Sequence, residues 1–258
     1  MLTRPEVSGI DVTTTLRHFA IITYEVDPER LRPHLHPRFV PDRIAGSGGS
    51  DRALVSVVPF LDVDFRFASC PWPTFSFGQT NYRAYVIDTE TGERVVWFFG
   101  TCVDSWSVLV PRFRWKLPWH RGRIRFDCEY SRSESRYRRY RMHTDSSWAP
   151  AEVELRDSGA EPGILTGFPS LESSLVVLTH PLRGYFFRRD GRLGTYQVWH
   201  DRLRLTEGSC LRARFPLLES LDLVSVPRQT ETHSVLIQQE TEFIIRLPPR
   251  LAESPVSV

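Results

Sequence analysis

Four side chains that form hydrogen bonds occupy alternate positions of one short segment, FGQTNYRAYV. They are Gln79, Asn81, Arg83 and Tyr85, and alternate residues of a β-strand share one face. An amide pair beside an arginine is suited to orienting a carboxylate or a carbonyl group in a polar cavity. The solvated outer face of an antiparallel strand shows the same pattern. The segment by itself leaves both interpretations open.

A second candidate is the segment PRFRWKLPWH, which contains Arg112, Lys116, Trp119 and His120. Lys116 is the only lysine of the chain. A buried lysine has a lowered pKa and attacks carbonyl groups as the free amine, which begins imine chemistry. The alternative is a lysine that extends along the surface with its ammonium group in water.

Two histidines are candidates for moving a proton. His120 ends the segment just described, and His200 ends GTYQVWH, which follows a turn after Tyr185. Asp201 is adjacent to His200, and neighbouring residues of a strand point to opposite faces, so the two do not form a dyad. His200 is therefore either a base in a cavity or a packed core histidine, and the sequence leaves both open.

Metal-binding patterns are weak. His34 and His36 form a pair, but no acidic residue or cysteine lies nearby at ligand spacing, so we interpret them as a histidine pair at a helix end. The four cysteines are far apart and form no C-x-x-C motif, which argues against a zinc ribbon or a redox site. We expect neither a metal nor another cofactor.

Several catalytic signatures are absent from the sequence. It contains no G-x-S-x-G, H-E-x-x-H or G-x-G-x-x-G motif, and its single lysine does not follow a glycine-rich loop. The sequence therefore disfavours α/β-hydrolase, metalloprotease and nucleotide-dependent chemistry.

A basic and aromatic stretch runs from Arg112 to Arg141, with eleven basic residues against three acidic ones. Tyrosines are interleaved with the arginines, a combination that can bind single-stranded nucleic acid. However, Arg121, Arg123 and Arg125 alternate with Gly122, Ile124 and Phe126, as the wet face of a strand would. The net charge of the chain is only +2. Nucleic-acid binding is therefore disfavoured.

The composition is that of a globular protein. The 258 residues are 41% hydrophobic and 25% charged, which is enough for one large domain with a sizeable core. No apolar run has the length of a membrane helix, and the N-terminus has no apolar signal region. We expect a cytoplasmic protein without membrane contact and with reduced cysteines. We expect a single domain over residues 1–258, with a core over about 15–247 and a tail over 248–258. Assembly into a homo-oligomer stays open.

Strand patterns with a period of two dominate the chain. Residues 17–26, 54–60 and 233–245 are strand candidates. Residues 79–87 and 94–102 flank a turn at 88–92, and a second hairpin turns at 189–192. A short helix is predicted to begin after Asp27, with Pro28 at its first position, and another at 105–109. These elements predict a mainly antiparallel β domain, either a barrel or a sandwich.

The same segments, in this order, resemble the YqjF-like family of domains of unknown function within the acetoacetate decarboxylase-like superfamily. The resemblance spans about residues 17–223 and depends on YEVDPERLRPHLHPRF, FGQTNYRAYV, VPRFRWKLPWH and RGYFFRRDGRLGTYQVWH. It implies a mainly β (α+β) fold, a cone-shaped antiparallel β-barrel with a central cavity and a few short helices.

The resemblance also implies which residues line that cavity. Arg17 looks like the arginine with which acetoacetate decarboxylase lines its pocket, and Arg112 is similar to a second arginine of the lysine motif. Where that motif continues with two lysines, this chain has Trp119 and His120, so the Schiff-base lysine is missing. Gln79 stands where relatives usually carry glutamate. Lys116 is three residues from Trp119, an odd offset that points it to the opposite face.

Three functional hypotheses follow. In the first, the chain binds a small carboxylated or carbonyl-bearing ligand in the cavity, is not a true acetoacetate decarboxylase, and leaves a non-decarboxylating lyase, aldolase or cyclase activity on an oxo acid open. In the second, it is a non-catalytic ligand-binding or structural relative. In the third, it binds nucleic acid through the arginine-rich stretch, with a steep salt dependence. The residues expected to bind the ligand are Arg17, Gln79, Asn81, Arg83, Arg112, Trp119 and Tyr185, and those expected to move a proton are His120 and His200.

Overall fold

The computed structural model describes residues 3–46, 48–106 and 109–252. This part of the chain is mostly β-structure. Its strands are β1 (Val12–Val26), β2 (Phe39–Pro41), β3 (Arg43–Ala45), β4 (Asp51–Phe67), β5 (Cys70–Asp88), β6 (Arg94–Val103), β7 (Trp119–Arg121), β8 (Arg123–Ser131), β9 (Arg136–Asp145), β10 (Ala151–Asp157), β11 (Arg183–Phe187), β12 (Leu193–His200), β13 (Thr206–Arg214) and β14 (Ser234–Leu251). The helices are α1 (Pro28–Leu31), α2 (Leu109–Arg114), α3 (Leu171–Thr179) and α4 (Pro216–Ser220).

Seven strands close into a barrel. Their order is β1, β4, β5, β6, β11, β12 and β14, and β14 pairs with β1 to complete the ring. Neighbouring strands are antiparallel except for β6 and β11, which are parallel. A closed barrel leaves no unpaired strand edge, and its strands alternate between residues that point inward and outward.

A second sheet covers part of the outer face of the barrel. It continues from β14 in the order β13, β10, β9 and β8. Its apolar side, with Tyr140, Met142 and Val153, packs in one core with outward residues of the barrel such as Tyr82 and Trp97. This packing makes the long barrel strands hydrophobic on both faces.

The interior of the barrel forms a separate core. It includes Leu16, Ile21, Val58 and Phe98 from the strands and Leu178 from α3. Helix α3 begins at a capping box, in which the Ser170 side chain accepts a hydrogen bond from the backbone N–H of Ser173. Leu178, near the C-terminal end of α3, packs in the core inside the barrel.

The main elements predicted from the sequence are confirmed. Strands β5 and β6 form the first predicted hairpin, and β11 and β12 form the second. The Asp27 side chain caps α1, whose first residue is Pro28. The predicted helix at 105–109 lies partly outside the described residues. Strand β14 extends past Pro248, where the sequence predicts a tail, because Arg250 and Leu251 pair with β12.

Among the residues described, none of the helices combines the length and the apolar character needed to cross a lipid bilayer.

Candidate ligand-binding pocket

A pocket of about 300 Å³ lies inside the barrel. Its wall is mostly aromatic and aliphatic. The apolar lining residues include Leu16, Phe19, Ile21, Val58, Phe60, Phe65, Phe67, Phe75, Phe77, Phe98, Trp115, Leu117, Trp119, Val198, Leu203, Phe243 and Ile245. Such a wall favours an apolar ligand body, because binding removes apolar surface of both partners from water.

Polar side chains form a row on one wall of this pocket. Gln79, Asn81 and Arg83 of β5 all line it, since alternate residues of the strand face the barrel interior. Tyr85, the fourth residue of the predicted row, lies beyond the pocket and is buried in the interior core. The facing pattern inferred from the sequence therefore brings three of its four members together in the pocket.

Arg83 is the cationic group of this row. Its Nη2 donates to the carbonyl oxygen of Leu178, at 3.0 Å, and to the hydroxyl of Tyr85, at 3.1 Å. Within the described part of the chain, its Nε is buried without a hydrogen-bond partner, and no carboxylate forms an ion pair with Arg83. A guanidinium that lines a pocket without a counter-ion is suited to binding an anion.

Asp62 is the acidic group of the pocket. It is fully buried and lies on β4, next to β5. Its Oδ2 accepts a hydrogen bond from Gln79 Nε2 at 2.5 Å, and its Oδ1 accepts one from the Thr14 hydroxyl at 3.0 Å. Burial raises the pKa of this carboxyl to about 7, although both hydrogen bonds act in the opposite direction.

Asp62 is not among the site residues predicted from the sequence, which places the expected acid only at position 79. The signal was present in the alternation of Val58, Phe60 and Asp62, which places all three on one face of a strand. An acidic residue on the apolar face of a strand indicates a buried carboxyl group.

Asn81 has a partner on the neighbouring strand. Its Oδ1 accepts a hydrogen bond from the Thr101 hydroxyl at 2.7 Å, and the two residues are paired across β5 and β6. This bond occupies the amide oxygen and leaves the Nδ2 group as a donor toward the pocket.

His200 lines the pocket, but both of its ring nitrogens are engaged. Nδ1 lies 2.8 Å from the carbonyl oxygen of Asp201, and Nε2 lies 2.8 Å from that of Thr179. The ring stacks on Phe243 with centroids 4.8 Å apart. Burial lowers the pKa of His200. This geometry presents ring carbon to the pocket and leaves no nitrogen free to accept a proton from a ligand.

His120 lies outside the pocket lining. Strand β7 pairs in parallel with β6, so Trp119 and Thr101 face the pocket while His120 and Cys102 face the other way. The imidazole stacks on Trp148, with centroids 4.0 Å apart and an interplanar angle of 8°. Burial, followed by the charges of nearby arginines, lowers its pKa to about 4.

Arg17 is also placed outside the pocket, because β1 contains a β-bulge. Between the pairs Arg17–Leu61 and Ile22–Val57, β1 has one residue more than β4. The extra residue is His18, whose φ is +53°. Leu16 and Phe19 consequently both face the pocket, and Arg17 points outward to Glu240, at 3.4 Å.

Two further residues expected in the cavity, Tyr185 and Arg112, do not line it. Tyr185 is buried on the outer side of the barrel, 4.7 Å from Phe39 between ring centroids. Arg112 lies on α2, where its neighbour Pro111 is the lining residue, and its Nε is buried without a partner. Lys116 lies between two lining residues, Trp115 and Leu117, and is not itself part of the wall.

The part of the arginine-rich stretch that lies in β8 and β9 forms an outer surface of the second sheet, with Arg123, Arg125, Arg136, Arg138, Arg139 and Arg141 exposed. Arg139 pairs with Asp127 at 2.8 Å and Arg141 pairs with Glu154 at 2.8 Å. Glu134 binds both Arg136 and Arg138. Tyr137 and Tyr140 are buried, so they are not available to stack on bases. Carboxylates of the same surface thus neutralise much of this positive charge.

The sequence of the chain matches the model of a protein family. The family model of DUF2071, described as an uncharacterized conserved protein, matches residues 13–241. No curated protein matches the chain by sequence.

Solved structures of similar fold include enzymes named as acetoacetate decarboxylase and as acetoacetate decarboxylase-like. The enduracididine biosynthesis enzyme MppR complexed with pyruvate is 13% identical, with a TM-score of 0.57 and coverage of 97% of this chain and 93% of that one. Acetoacetate decarboxylase from Legionella pneumophila is 12% identical, with a TM-score of 0.54 and coverage of 98% and 92%. An acetoacetate decarboxylase-like enzyme from Sphingomonas wittichii RW1 is 10% identical, with a TM-score of 0.59 and coverage of 93% and 92%. At these identities the similarity establishes the fold alone.

Proposed function

The chain belongs to the DUF2071 family, and from this premise we propose that it binds a small, largely apolar carboxylic acid in the barrel pocket, with Arg83 as the anchor for the carboxylate. Gln79 and Asn81 orient a carbonyl or hydroxyl group of the same ligand. The single observation that carries the proposal is that Arg83 lines the pocket and forms no ion pair with a carboxylate of the described residues.

A guanidinium without a counter-ion in the pocket wall favours the binding of an anion. Burying a charge without a partner is costly. A bound carboxylate accepts hydrogen bonds from guanidinium N–H groups and balances the charge at once. The bond from Arg83 Nη2 to the Leu178 carbonyl oxygen holds the guanidinium at the end of α3.

The rest of the pocket selects the body of the ligand. Its wall is aromatic along most of its length, with Phe60, Phe77 and Phe98 among the lining residues. These side chains favour an alkyl or aryl group over a compact polar acid. MppR, which shares the fold, has been solved with pyruvate, and this supports a carboxylate as the anchoring group.

The proposal involves no imine. Trp119 and His120 stand where the superfamily motif has two lysines, and Lys116, the only lysine, is absent from the pocket wall. The ligand is therefore held by charge and hydrogen bonds alone, and the proposal requires no turnover.

Calorimetric titration with octanoate and 2-oxooctanoate tests this function. We expect saturable binding of both, and Arg83→Met is expected to weaken it about tenfold or more, since a hydrogen bond to a charged group contributes about 1.5–3 kcal/mol. Arg17→Met is the matched control, because Arg17 is half exposed and outside the pocket. Equal affinities of the parent and Arg83→Met, or no binding of either acid, would refute the proposal.

A further inference from the structure

The two amide side chains of the pocket are each fixed from behind by a protein partner. An ionised carboxylate only accepts hydrogen bonds, so Gln79 must turn its Nε2 group toward Asp62, at 2.5 Å. The Gln79 Oε1 is then left without a protein partner in the described part of the chain, and it is not among the atoms closed off from solvent. Gln79 therefore presents a hydrogen-bond acceptor, its Oε1, to the pocket.

The neighbouring amide has the opposite polarity. Because the Thr101 hydroxyl donates to Asn81 Oδ1, Asn81 presents its Nδ2 donor. Along β5 the pocket thus offers an acceptor at Gln79, a donor at Asn81 and a cation at Arg83. Alternate residues of a strand are about 6.7 Å apart, so this order distinguishes ligands by where their polar groups lie along the chain.

Asp62 is unusual because no charged group among the described residues compensates it. Its bonding partners, Thr14 and Gln79, are both neutral. The other titratable groups that line the pocket are Arg83, Tyr196 and His200, and none of them pairs with Asp62. Burying a carboxyl group without a cation is costly. A buried carboxyl group without a cation therefore indicates a role other than stabilising the fold.

We propose that Asp62 is a positioning residue that fixes Gln79 as a hydrogen-bond acceptor, so that the pocket selects a carboxylic acid carrying a hydroxyl group remote from its carboxylate. This inference rests on the proposed function, since Arg83 must hold the carboxylate for the hydroxyl group to reach Gln79. About 13 Å separates the Cα atoms of these two residues, so several bonds lie between the two ligand groups.

Protonation of Asp62 provides a way to reverse the selection. A protonated carboxyl group can donate its O–H to Gln79 Oε1, which lets the amide flip and turn Nε2 toward the pocket. The acceptor then becomes a donor, and the site no longer matches a ligand hydroxyl. Octanoic acids remain ionised in the neutral range, so their own carboxyl group does not produce this change.

The experiment compares octanoate with hydroxyoctanoates that carry the hydroxyl group on successive carbons from C3 to C8. Affinities are measured by calorimetry for the parent, Asp62→Asn, Gln79→Leu and the control Asp64→Asn. Asp64 lies on the same strand but is exposed. In the parent, at least one isomer is expected to bind as tightly as octanoate or about fivefold tighter, whereas an unmatched buried hydroxyl would weaken binding about tenfold.

The variants separate positioning from simple structural support. Asp62→Asn and Gln79→Leu are expected to abolish the preference for the hydroxylated isomer, whereas the control Asp64→Asn is expected to match the parent. In the parent, the preference is expected to fall as the pH is lowered through about 7, the pKa of Asp62. Asp62→Asn is expected to show no such pH profile.

The outcomes also distinguish this inference from the proposed function. If octanoate binds in an Arg83-dependent way but every hydroxylated isomer is penalised about tenfold, the role of Asp62 is refuted and the pocket assignment survives. A preference that persists in Asp62→Asn has the same meaning. If octanoate does not bind at all, both the role of Asp62 and the proposed function are refuted.

Discussion

The carboxylate of Asp62 lies 2.5 Å from the Gln79 amide nitrogen, inside a barrel whose wall is otherwise mostly apolar. The resemblance seen in the sequence implies a glutamate, in relatives, where this chain has Gln79. An acidic group is present in this pocket one strand away, and it contacts the Gln79 amide.

The stability of the protein is expected to depend on pH through Asp62. Burial raises its pKa in the folded state to about 7, from 3.8 in its ordinary state. A group whose pKa rises on folding stabilises the fold fully below its unfolded pKa, and this contribution is lost as the pH rises through the folded pKa. The free energy of unfolding of the parent relative to Asp62→Asn should therefore fall between about pH 4 and about pH 7, by on the order of 4 kcal/mol.

Denaturant melts at a series of pH values check this expectation, with Asp64→Asn as the control for loss of an exposed carboxylate. Parallel curves for the parent and Asp62→Asn would contradict it. Greater stability of Asp62→Asn near neutral pH would also show that the variant folds, as its use in the binding experiment requires.

Arg83 is expected to contribute to ligand binding but little to the free energy of unfolding. Arg83→Met removes the bonds to Leu178 and Tyr85, but it also removes a buried guanidinium nitrogen without a partner. These effects oppose each other, so the free energy of unfolding of the ligand-free protein should change by no more than about 1 kcal/mol, or rise. Thermal melts of the ligand-free variant measure it.

Arg38→Met is expected to differ from Arg83→Met in its effect on the free energy of unfolding. Arg38 pairs with the fully buried Asp88 at 2.6 Å, and removing its charge leaves that carboxylate uncompensated. A loss of about 3–5 kcal/mol is expected there. If Arg83→Met destabilised the protein as strongly, Arg83 would be a structural residue.

Lys116 is expected to form no imine. The protein is incubated with a panel of 2-oxo and 3-oxo acids, borohydride is added, and the intact mass is recorded. Because Lys116 is outside the pocket wall, no reduced adduct should appear on it, and Lys116→Arg should behave like the parent. An adduct mapped to Lys116 would restore Schiff-base chemistry with a relocated nucleophile.

His120 is expected to stay neutral far below the usual range for histidine. Burial, followed by the charges of Arg112 and Arg189, lowers its pKa to about 4 from 6.5. A histidine with a lowered folded pKa stabilises the fold above its unfolded pKa, and this contribution is lost as the pH falls through the folded value. NMR titration of the imidazole measures this pKa, and Trp148→Leu should raise it because the ring becomes solvated. A midpoint near 6.5 in the parent would overturn the prediction.

Local sequence patterns predicted most of the fold and part of the pocket. Alternation along FGQTNYRAYV predicted that Gln79, Asn81 and Arg83 share one face, and a pleated strand enforces this geometry wherever it lies. The two hairpins and the cap at Asp27 were likewise readable, because turn and cap residues act over a few positions.

Residues that depend on long-range pairing were not predictable in this way. Arg17 would share a face with Phe19 on a regular strand, but the bulge at His18 turns it outward. The bulge is held by the second sheet, where the Tyr137 hydroxyl lies 2.9 Å from His18 Nδ1, and these two residues are far apart in the sequence. His120 faces away from the pocket because β7 pairs with β6 in a particular register.

The sequence by itself determined the β-rich class and the polar row on β5. Tertiary structure alone decided that Asp62 meets Gln79, that both nitrogens of His200 face backbone carbonyl oxygens, and that no carboxylate of the described residues pairs with Arg83. The physical reason is that side-chain type and alternation are local properties of the chain. Burial, hydrogen-bond partners and the pKa values that follow from them are set by strands brought together only when the barrel closes.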